Sequence, residues 1–287
     1  MESFSIINSY AESILVIECL KGKFCWLSTW NQRIKVNMSM KVFTVLWLTG
    51  MAGVISLWWM NLPIPESEEL QLPLWGIKLL SLIQPTFLLS IAVLVGVVLA
   101  HKVGLSAPLA EAIANRTSMS LAIQPQVLPG IIGGLVGGIV LTAIQFCAKF
   151  LLPSDFVMKA ETLSSSTPFL TRILYGGITE ELLLRWGMMT LLVWLGWRVF
   201  SQGQGEPSTL CFVAAIALSA FLFGFGHLPL VFVLGTQVTI SVITYVIVGN
   251  SVFGLIAGYL YWRKGLEAAM ISHIVVHVVM LVARLAR

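Results

Sequence analysis

Long apolar runs alternate with short polar segments along most of this chain. Seven of the runs can cross a bilayer as helices, since about 20 apolar residues span the hydrocarbon core. The predicted spans are residues 42–62, 78–100, 130–152, 171–200, 209–227, 237–262 and 266–285. An eighth crossing is added if residues 228–235 re-enter the membrane. The pattern predicts an all-α polytopic membrane protein, with a bundle of about seven transmembrane helices forming one domain over residues 42–287.

The segments between the spans carry weaker signals. Residues 101–129 are polar enough to form a loop that holds a short surface helix at about 107–115, and the Ser-rich residues 153–168 are expected to form a second loop. The third span contains two rows of glycines at steps of four, which favour close approach of a neighbouring helix. These rows are Gly130, Gly134 and Gly138, and Gly133 and Gly137.

Residues 1–41 differ from the rest of the chain in being mixed and basic. They predict an N-terminal extension, and the apolar run at residues 14–17, flanked by Glu12 and Glu18, suits an interfacial helix better than a span. Counting Lys and Arg in the connecting segments favours a cytoplasmic N-terminus, mostly because of this extension.

Composition agrees with a membrane location. The chain is 57% hydrophobic and 10% charged, whereas soluble domains carry about 25% charged residues. The net charge of +4 indicates anionic membrane lipids as partners and not nucleic acid. The four cysteines have no metal-binding spacing.

Three charged residues lie in the fourth predicted span well away from its ends: Glu180, Glu181 and Arg185. A charge at bilayer depth costs roughly 2.5–3.5 kcal/mol on insertion scales, so charges there are functional by default. At about 100° per residue, Glu181 and Arg185 share a helix face in the order that favours an ion pair, and Glu180 points away from both. One carboxylate is thereby left without a cation, as a general base or a metal ligand would be. The competing interpretation is a charge cluster that only fixes helix packing.

Three of the four histidines lie in or at predicted spans. His227 ends the fifth span, and His273 and His277 lie one turn apart on the same face of the seventh. Phe223 precedes His227 by one turn, so its ring can pack beside that imidazole. A lone histidine on an apolar helix is usually structural. These three share a bundle with the adjacent carboxylates of the fourth span, and we expect the groups to converge because the bilayer offers no other polar partners.

Two chemistries fit these residues. In the first, Glu180 and His227 hold a water and draw a proton from it, and His273 and His277 donate hydrogen bonds to the oxyanion that forms when the water attacks an amide. In the second, the three histidines and Glu180 bind Zn²⁺, which activates the water. His273 and His277 are correctly spaced for a ligand pair on one helix face, but the HExxH signature of metalloproteases is absent.

The order of three motifs resembles that of the CAAX protease and bacteriocin-processing (CPBP) family, intramembrane proteases related to the Ras-converting CAAX prenyl endopeptidase. The motifs fall within about residues 165–285 and are Glu180-Glu181-x-x-x-Arg185, Phe223-x-x-x-His227, and His273 with a polar residue four positions later. The resemblance implies a glutamate protease that requires no cofactor. It makes Glu180 the base, His227 its partner on the water, and His273 with its neighbour the oxyanion stabiliser. It also makes Glu181 and Arg185 a supporting pair.

This chain departs from the family at His277, where Asn or sometimes Asp is usual. An imidazole also donates a hydrogen bond, so the resemblance still implies an oxyanion role, but a histidine here also suits the zinc alternative.

The leading functional hypothesis is an intramembrane endopeptidase that cuts a membrane-associated peptide or protein. A zinc-dependent version of the same hydrolysis is the first alternative. A non-enzymatic immunity or scaffolding protein and a small transporter with a proton relay are two others. The chain shows none of the paired, broken-helix halves typical of transporters.

Overall fold

The computed structural model describes residues 26–60 and 73–286, with side chains from residue 39 onward. The chain divides into two units, Met1–Lys41 and Val42–Arg287, and the second unit holds all the residues considered below. The predicted interfacial helix near residues 14–17 lies outside the described residues. The cytoplasmic N-terminus likewise stays a prediction.

Every element in the described part of the chain is a helix. The helices are α1 (Trp26–Ser56), α2 (Leu74–Leu99), α3 (Pro108–Asn115), α4 (Met119–Ala148), α5 (Ser154–Ser166), α6 (Phe169–Ser201), α7 (Thr209–Gly226), α8 (Leu228–Val233), α9 (Ile240–Lys264) and α10 (Leu266–Leu285). Short 3₁₀ turns follow α1 and α2, at Leu57–Trp59 and Ala100–Val103.

Seven segments of the described residues are long and apolar enough to cross a membrane. They confirm the predicted all-α polytopic membrane protein, and the last span has the predicted bounds, Leu266–Leu285. The candidate eighth crossing is the short helix α8, which belongs to the same apolar segment as α7, Thr209–Val233.

Two expectations for the connecting segments were wrong. Helix α4 begins at Met119, well before residue 130, because Ser118 caps it by accepting a hydrogen bond from the Leu121 backbone N–H at 3.4 Å. Most of the segment 153–168 is not a loop, because Ser154–Ser166 form helix α5. Phe156 anchors α5, since its side chain is buried and its ring packs edge-on to Tyr245 with centroids 6.1 Å apart.

The glycine rows of α4 let this helix lie directly against α10. A β-carbon added at Gly134 would lie 2.5 Å from the Val275 β-carbon, and one added at Gly138 would lie 2.6 Å from that of Val279. Residue numbers rise together on the two helices, so α4 and α10 run in the same direction. The predicted small-residue faces therefore bring two helices together at a separation that larger side chains would prevent.

The polar residues of α6 lie inside the bundle because this helix packs against α2, α7 and α10. Trp186 of α6 is buried and donates from its indole nitrogen to the carbonyl oxygen of Val93 on α2, at 3.3 Å. Helices α7 and α10 also pack against α9. Together, α6, α7 and α10 enclose the residues described next.

The turn between α9 and α10 fixes where the last span starts. Gly265 has φ +111°, a conformation that L side chains rarely adopt. The buried Glu267 accepts a hydrogen bond from the Ala110 backbone N–H at 3.0 Å, and Gln126 accepts one from the Ala268 backbone N–H at 3.1 Å. Glu267 thus binds α10 to the start of α3, a contact that the sequence did not predict.

Candidate active site

Helix α6 is wound as a π-helix on both sides of its adjacent carboxylates. The two π-helical stretches are Arg172–Thr179 and Leu182–Met189, and Glu180 and Glu181 lie between them. Departures of this kind from α-helical winding occur frequently at functional sites. A π-helix has more residues per turn than an α-helix, so the π-helical stretches change which residues of α6 share a face. The directions of the two carboxylates therefore differ from those expected for a regular α-helix.

Glu181 is the centre of a buried chain of three side chains. Its Oε2 atom lies 3.2 Å from Nε of Arg185, and both side chains are fully buried. Its Oε1 atom lies 2.8 Å from Nδ1 of His273 on α10. The predicted ion pair with Arg185 is therefore present, and the same carboxylate also holds an imidazole, which the sequence did not predict.

Arg185 is held from two further directions. Its Nη2 atom donates to the carbonyl oxygen of Gly254 on α9 at 3.3 Å, and its guanidinium lies over the ring of Phe223, 5.1 Å from the centroid. A buried charge with these partners is compensated electrostatically and also fixed in position. Arg185 consequently fixes the position of Glu181.

His227 is half-buried at the end of α7. Its Nδ1 atom lies 2.8 Å from the carbonyl oxygen of Phe223. A carbonyl oxygen only accepts hydrogen bonds, so Nδ1 carries the hydrogen, and Nε2 of the neutral ring is left with a lone pair. The rings of Phe223 and His227 pack edge to face with centroids 4.8 Å apart, as their spacing predicted.

Phe223 links the two helices that carry the histidines. Its ring centroid lies 6.0 Å from that of His273 as well as 4.8 Å from that of His227. His273 in turn stacks on His277, with centroids 4.8 Å apart and 19° between the planes. The three histidines predicted to act together therefore occupy one region of the bundle, since Phe223 joins His227 to His273 and His273 stacks on His277.

Glu180 lies between two contacts that α6 makes with α10. On its N-terminal side, Gly176 faces Nε2 of His277, and on its C-terminal side Glu181 binds His273. The Glu180 side chain is half-buried and makes no hydrogen bond to any other described residue. It is thus the carboxylate without a partner that helix geometry predicted, beside the helix face that meets the histidines.

Several buried polar atoms of this region make no hydrogen bond to another described residue, among them atoms of Glu181, Arg185 and His277. Nε2 of His277 makes no hydrogen bond to another described residue, although it is inaccessible to solvent. A buried, unpaired ring nitrogen is costly, so groups of this kind are often completed by a ligand or a water. The position of His277 within this cluster is therefore suited to contact with a bound molecule.

The described residues do not form a preorganised metal-binding site. No group of three or more His, Cys, Asp or Glu side chains among them is arranged to hold a metal ion. The donor set required by the zinc alternative, Glu180 with the three histidines, is therefore not assembled in this arrangement.

Fold and site define the class: a multi-pass α-helical membrane protein whose ionisable residues meet inside the bundle. Residues 162–279 match the family model described as Rce1-like, type II CAAX prenyl endopeptidase. The matched segment contains all three motifs, and the match confirms the resemblance to CAAX proteases over these residues. Proteins of this family are proteases and hence hydrolases. Comparison with curated proteins and comparison with solved structures each found no match.

Proposed function

We propose that this protein is an intramembrane endopeptidase that hydrolyses a peptide bond of a membrane-associated peptide or protein. The family match supports a membrane protease. The observation that supports the location of the site is the packing of Phe223 against both His227 and His273, which places the motifs of α7 and α10 together. Glu181 binds α6 to the same place through its 2.8 Å contact with His273.

In the proposed reaction, Glu180 and His227 activate a water. The unpaired Glu180 carboxylate takes a proton from the water as the oxygen attacks the carbonyl carbon of the substrate. Nε2 of His227 has a lone pair, since Nδ1 donates to the Phe223 carbonyl, and accepts the second hydrogen of the same water. Two acceptors on one water orient an oxygen lone pair toward the substrate.

His273 and His277 have the complementary role. Attack turns the substrate carbonyl oxygen into an oxyanion, and donors placed around that oxygen lower the barrier. The two rings are stacked on adjacent turns of α10, so their ring edges face the same side of the helix. When the tetrahedral intermediate collapses, the C–N bond breaks and the leaving nitrogen takes up the proton that Glu180 removed from the water, which leaves a carboxylic acid and an amine.

No metal is part of this proposal. A carboxylate and an imidazole suffice to activate the water, and the donor set for Zn²⁺ is not gathered among the described residues. Membrane lipids surround the spans, and the substrate must enter from the membrane or its surface because His227 and Glu180 lie within apolar segments.

The proposal is tested by incubating purified protein, reconstituted in phospholipid vesicles, with a library of membrane-associated peptides. Mass spectrometry then identifies new peptide ends. We expect cleavage by the unaltered protein and none by Glu180→Ala or His227→Ala. Absence of cleavage by the unaltered protein across the library would favour the immunity or scaffolding alternative, and cleavage that survives Glu180→Ala would contradict the assignment of the base.

A further inference from the structure

Two arginine side chains meet at one end of the helix bundle. Nη2 of Arg172, near the start of α6, and Nη1 of Arg284, near the end of α10, both donate to the carbonyl oxygen of Ser164 on α5. Nη2 of Arg172 also donates to the Ser164 hydroxyl oxygen at 3.2 Å. A single neutral acceptor therefore holds two guanidinium groups next to one another, although their like charges repel.

No carboxylate in the described part of the chain compensates these two cations. The ion pairs among the described residues all involve other cations, and none includes Arg172 or Arg284. Each guanidinium has several N–H donors, and the contacts with Ser164 occupy only one nitrogen of each. Because Arg284 is exposed and Arg172 is half-buried, an anion can reach the remaining donors.

Both arginines lie at the depth of the lipid headgroups. Arg172 is the fourth residue of the apolar segment Phe169–Ser201, and Arg284 is the last but one of Leu266–Leu285. Their shared contact with Ser164 places these two span ends at the same membrane surface. Basic pockets between transmembrane helices at this depth are suited to anionic headgroups.

An apolar groove of about 450 Å³ lies between α4 and α10. Its lining residues are Ile139, Thr142, Ala143, Phe146, Val279 and Ala283. Thr142 has the one polar side chain of this set, and its hydroxyl donates to the carbonyl oxygen of Gly138 at 2.7 Å. The groove therefore offers an apolar surface with its polar group already satisfied, as a hydrocarbon chain requires.

The end of this groove at the membrane surface is flanked by cations. On α10, Arg284 directly follows the lining residue Ala283. On α4, Nζ of Lys149 lies 4.3 Å from the ring centroid of the lining residue Phe146, and Lys149 takes part in none of the ion pairs among the described residues. An apolar groove below a cluster of positive charges matches an anionic phospholipid in both shape and polarity.

A second copy of this chain is a poorer occupant of the groove. Most pairs of identical chains associate through the same surface on both partners. Such an interface would bring Lys149, Arg172 and Arg284 of the two copies toward one another. An anionic lipid instead supplies the negative charge that these residues lack among the described residues.

We propose that Arg172, Arg284 and Lys149 bind the phosphate of an anionic phospholipid, with one of its acyl chains in the groove between α4 and α10. The planar guanidinium groups match the geometry of phosphate oxygens, and the bound anion offsets the repulsion between the two arginines. The site lies apart from the histidine cluster, so lipid binding is measured without any peptidase substrate.

Native mass spectrometry of the purified protein in detergent measures the binding of added lipids. The probes are phosphatidylglycerol, phosphatidylcholine with the same acyl chains, and glycerol 3-phosphate, which carries a phosphate without chains. We expect phosphatidylglycerol to bind about tenfold more tightly than phosphatidylcholine, an effect within reach of a few basic side chains beside an anionic headgroup, and glycerol 3-phosphate not to be retained. Equal affinity for the two lipids, or retention of glycerol 3-phosphate, would overturn the proposal.

The double variant Arg172→Gln/Arg284→Gln tests the phosphate site. It should lower the affinity for phosphatidylglycerol by about tenfold, close to that for phosphatidylcholine. Arg263→Gln/Lys264→Gln is the matched control, because it removes the same charge from exposed residues at the opposite end of α10, and we expect it to leave the lipid preference unchanged. An equal loss in both double variants would show only a general attraction of anionic lipid to a basic protein, and would overturn the proposal.

Arg172 also holds α5 through Ser164, so its replacement can disturb the fold. Ala143→Phe tests the groove without altering the arginines, since Ala143 is exposed and lines the groove. The added ring fills the space of an acyl chain, and we expect weaker binding of phosphatidylglycerol by a protein that remains folded in gel filtration. Unchanged lipid affinity in Ala143→Phe would overturn the proposal. So would an arginine variant that binds lipid normally but cleaves peptides poorly, because the arginines would then serve the substrate.

Discussion

Nε2 of His277 lies directly against Gly176, where a β-carbon would be 2.5 Å from that nitrogen. The nearest atoms to such a carbon all belong to the His277 ring. Because Gly176 has no side chain, the imidazole of His277 can approach the backbone of α6 closely. Glu180 follows Gly176 by about one turn of the π-helix, so this contact lies next to the proposed base.

Gly176→Ala should therefore impair catalysis without unfolding the protein. The added methyl group displaces the end of a side chain and no backbone, so the fold can adapt. A displacement of about 1 Å in a catalytic group costs on the order of 10²-fold in rate, and we expect a loss of that size in kcat/KM. Gly249→Ala in α9 is the control, because nothing lies within 4 Å of its added β-carbon. Equal activity of the two variants would show that the position of His277 does not matter.

Glu181→Ala is expected to reduce both stability and activity. It leaves the fully buried Arg185 guanidinium without its carboxylate, at a cost of about 3–5 kcal/mol. The yield of folded protein and the unfolding temperature in detergent report the first effect, and the cleavage rate of the remaining folded fraction reports the second. The exposed Glu206 of the α6–α7 connection provides a control, since Glu206→Ala should change neither.

His277→Asn distinguishes the metal-free reaction from the zinc alternative. Asn donates a hydrogen bond to an oxyanion but is a poor zinc ligand, so substantial turnover should remain, and chelators should have little effect on either protein. Metal content measured by mass spectrometry on purified protein provides the second readout. Stoichiometric zinc that is lost together with turnover in His277→Asn would establish the zinc-dependent reaction instead.

Gly134→Ala should destabilise the protein even though it lies outside the proposed site. Its β-carbon would lie 2.5 Å from the Val275 β-carbon and 2.6 Å from the Ser272 carbonyl oxygen, so α4 and α10 must move apart. Overpacking of this kind costs typically about 1–3 kcal/mol. Thermal unfolding in detergent, compared with Gly249→Ala, measures the difference, and equal unfolding temperatures would show that the two helices separate easily.

The spans and the Glu181–Arg185 pair could be predicted because both follow from local sequence. Apolar length determines a span, and the i, i+4 spacing of opposite charges determines an ion pair on one helix. The glycine rows of α4 likewise predicted a close helix neighbour, although not that this neighbour is α10.

The contact between Glu181 and His273 could not be predicted from the sequence. It depends on the π-helical winding of α6 and on the packing of α6 against α10, and the two residues are 92 positions apart in the chain. Helix α5 was missed for a different reason. Its serines are typical of loops, and its stability comes from tertiary packing of Phe156 against Tyr245. The role of Glu267 was missed because a carboxylate at the start of a span is ordinarily exposed, whereas this one binds the backbone of α3.

The proposed role of Glu180 as the base of a peptidase is tested most directly by single-turnover cleavage by Glu180→Gln. Gln has nearly the same size as Glu and accepts no proton, so folding, judged by circular dichroism and gel filtration, should be unchanged. With a peptide that the unaltered protein cleaves, we predict a rate at least about 10³-fold lower, within the range attributed to general base catalysis. A Glu180→Gln protein that cleaves the same peptide at close to the unaltered rate would show that Glu180 is not the base.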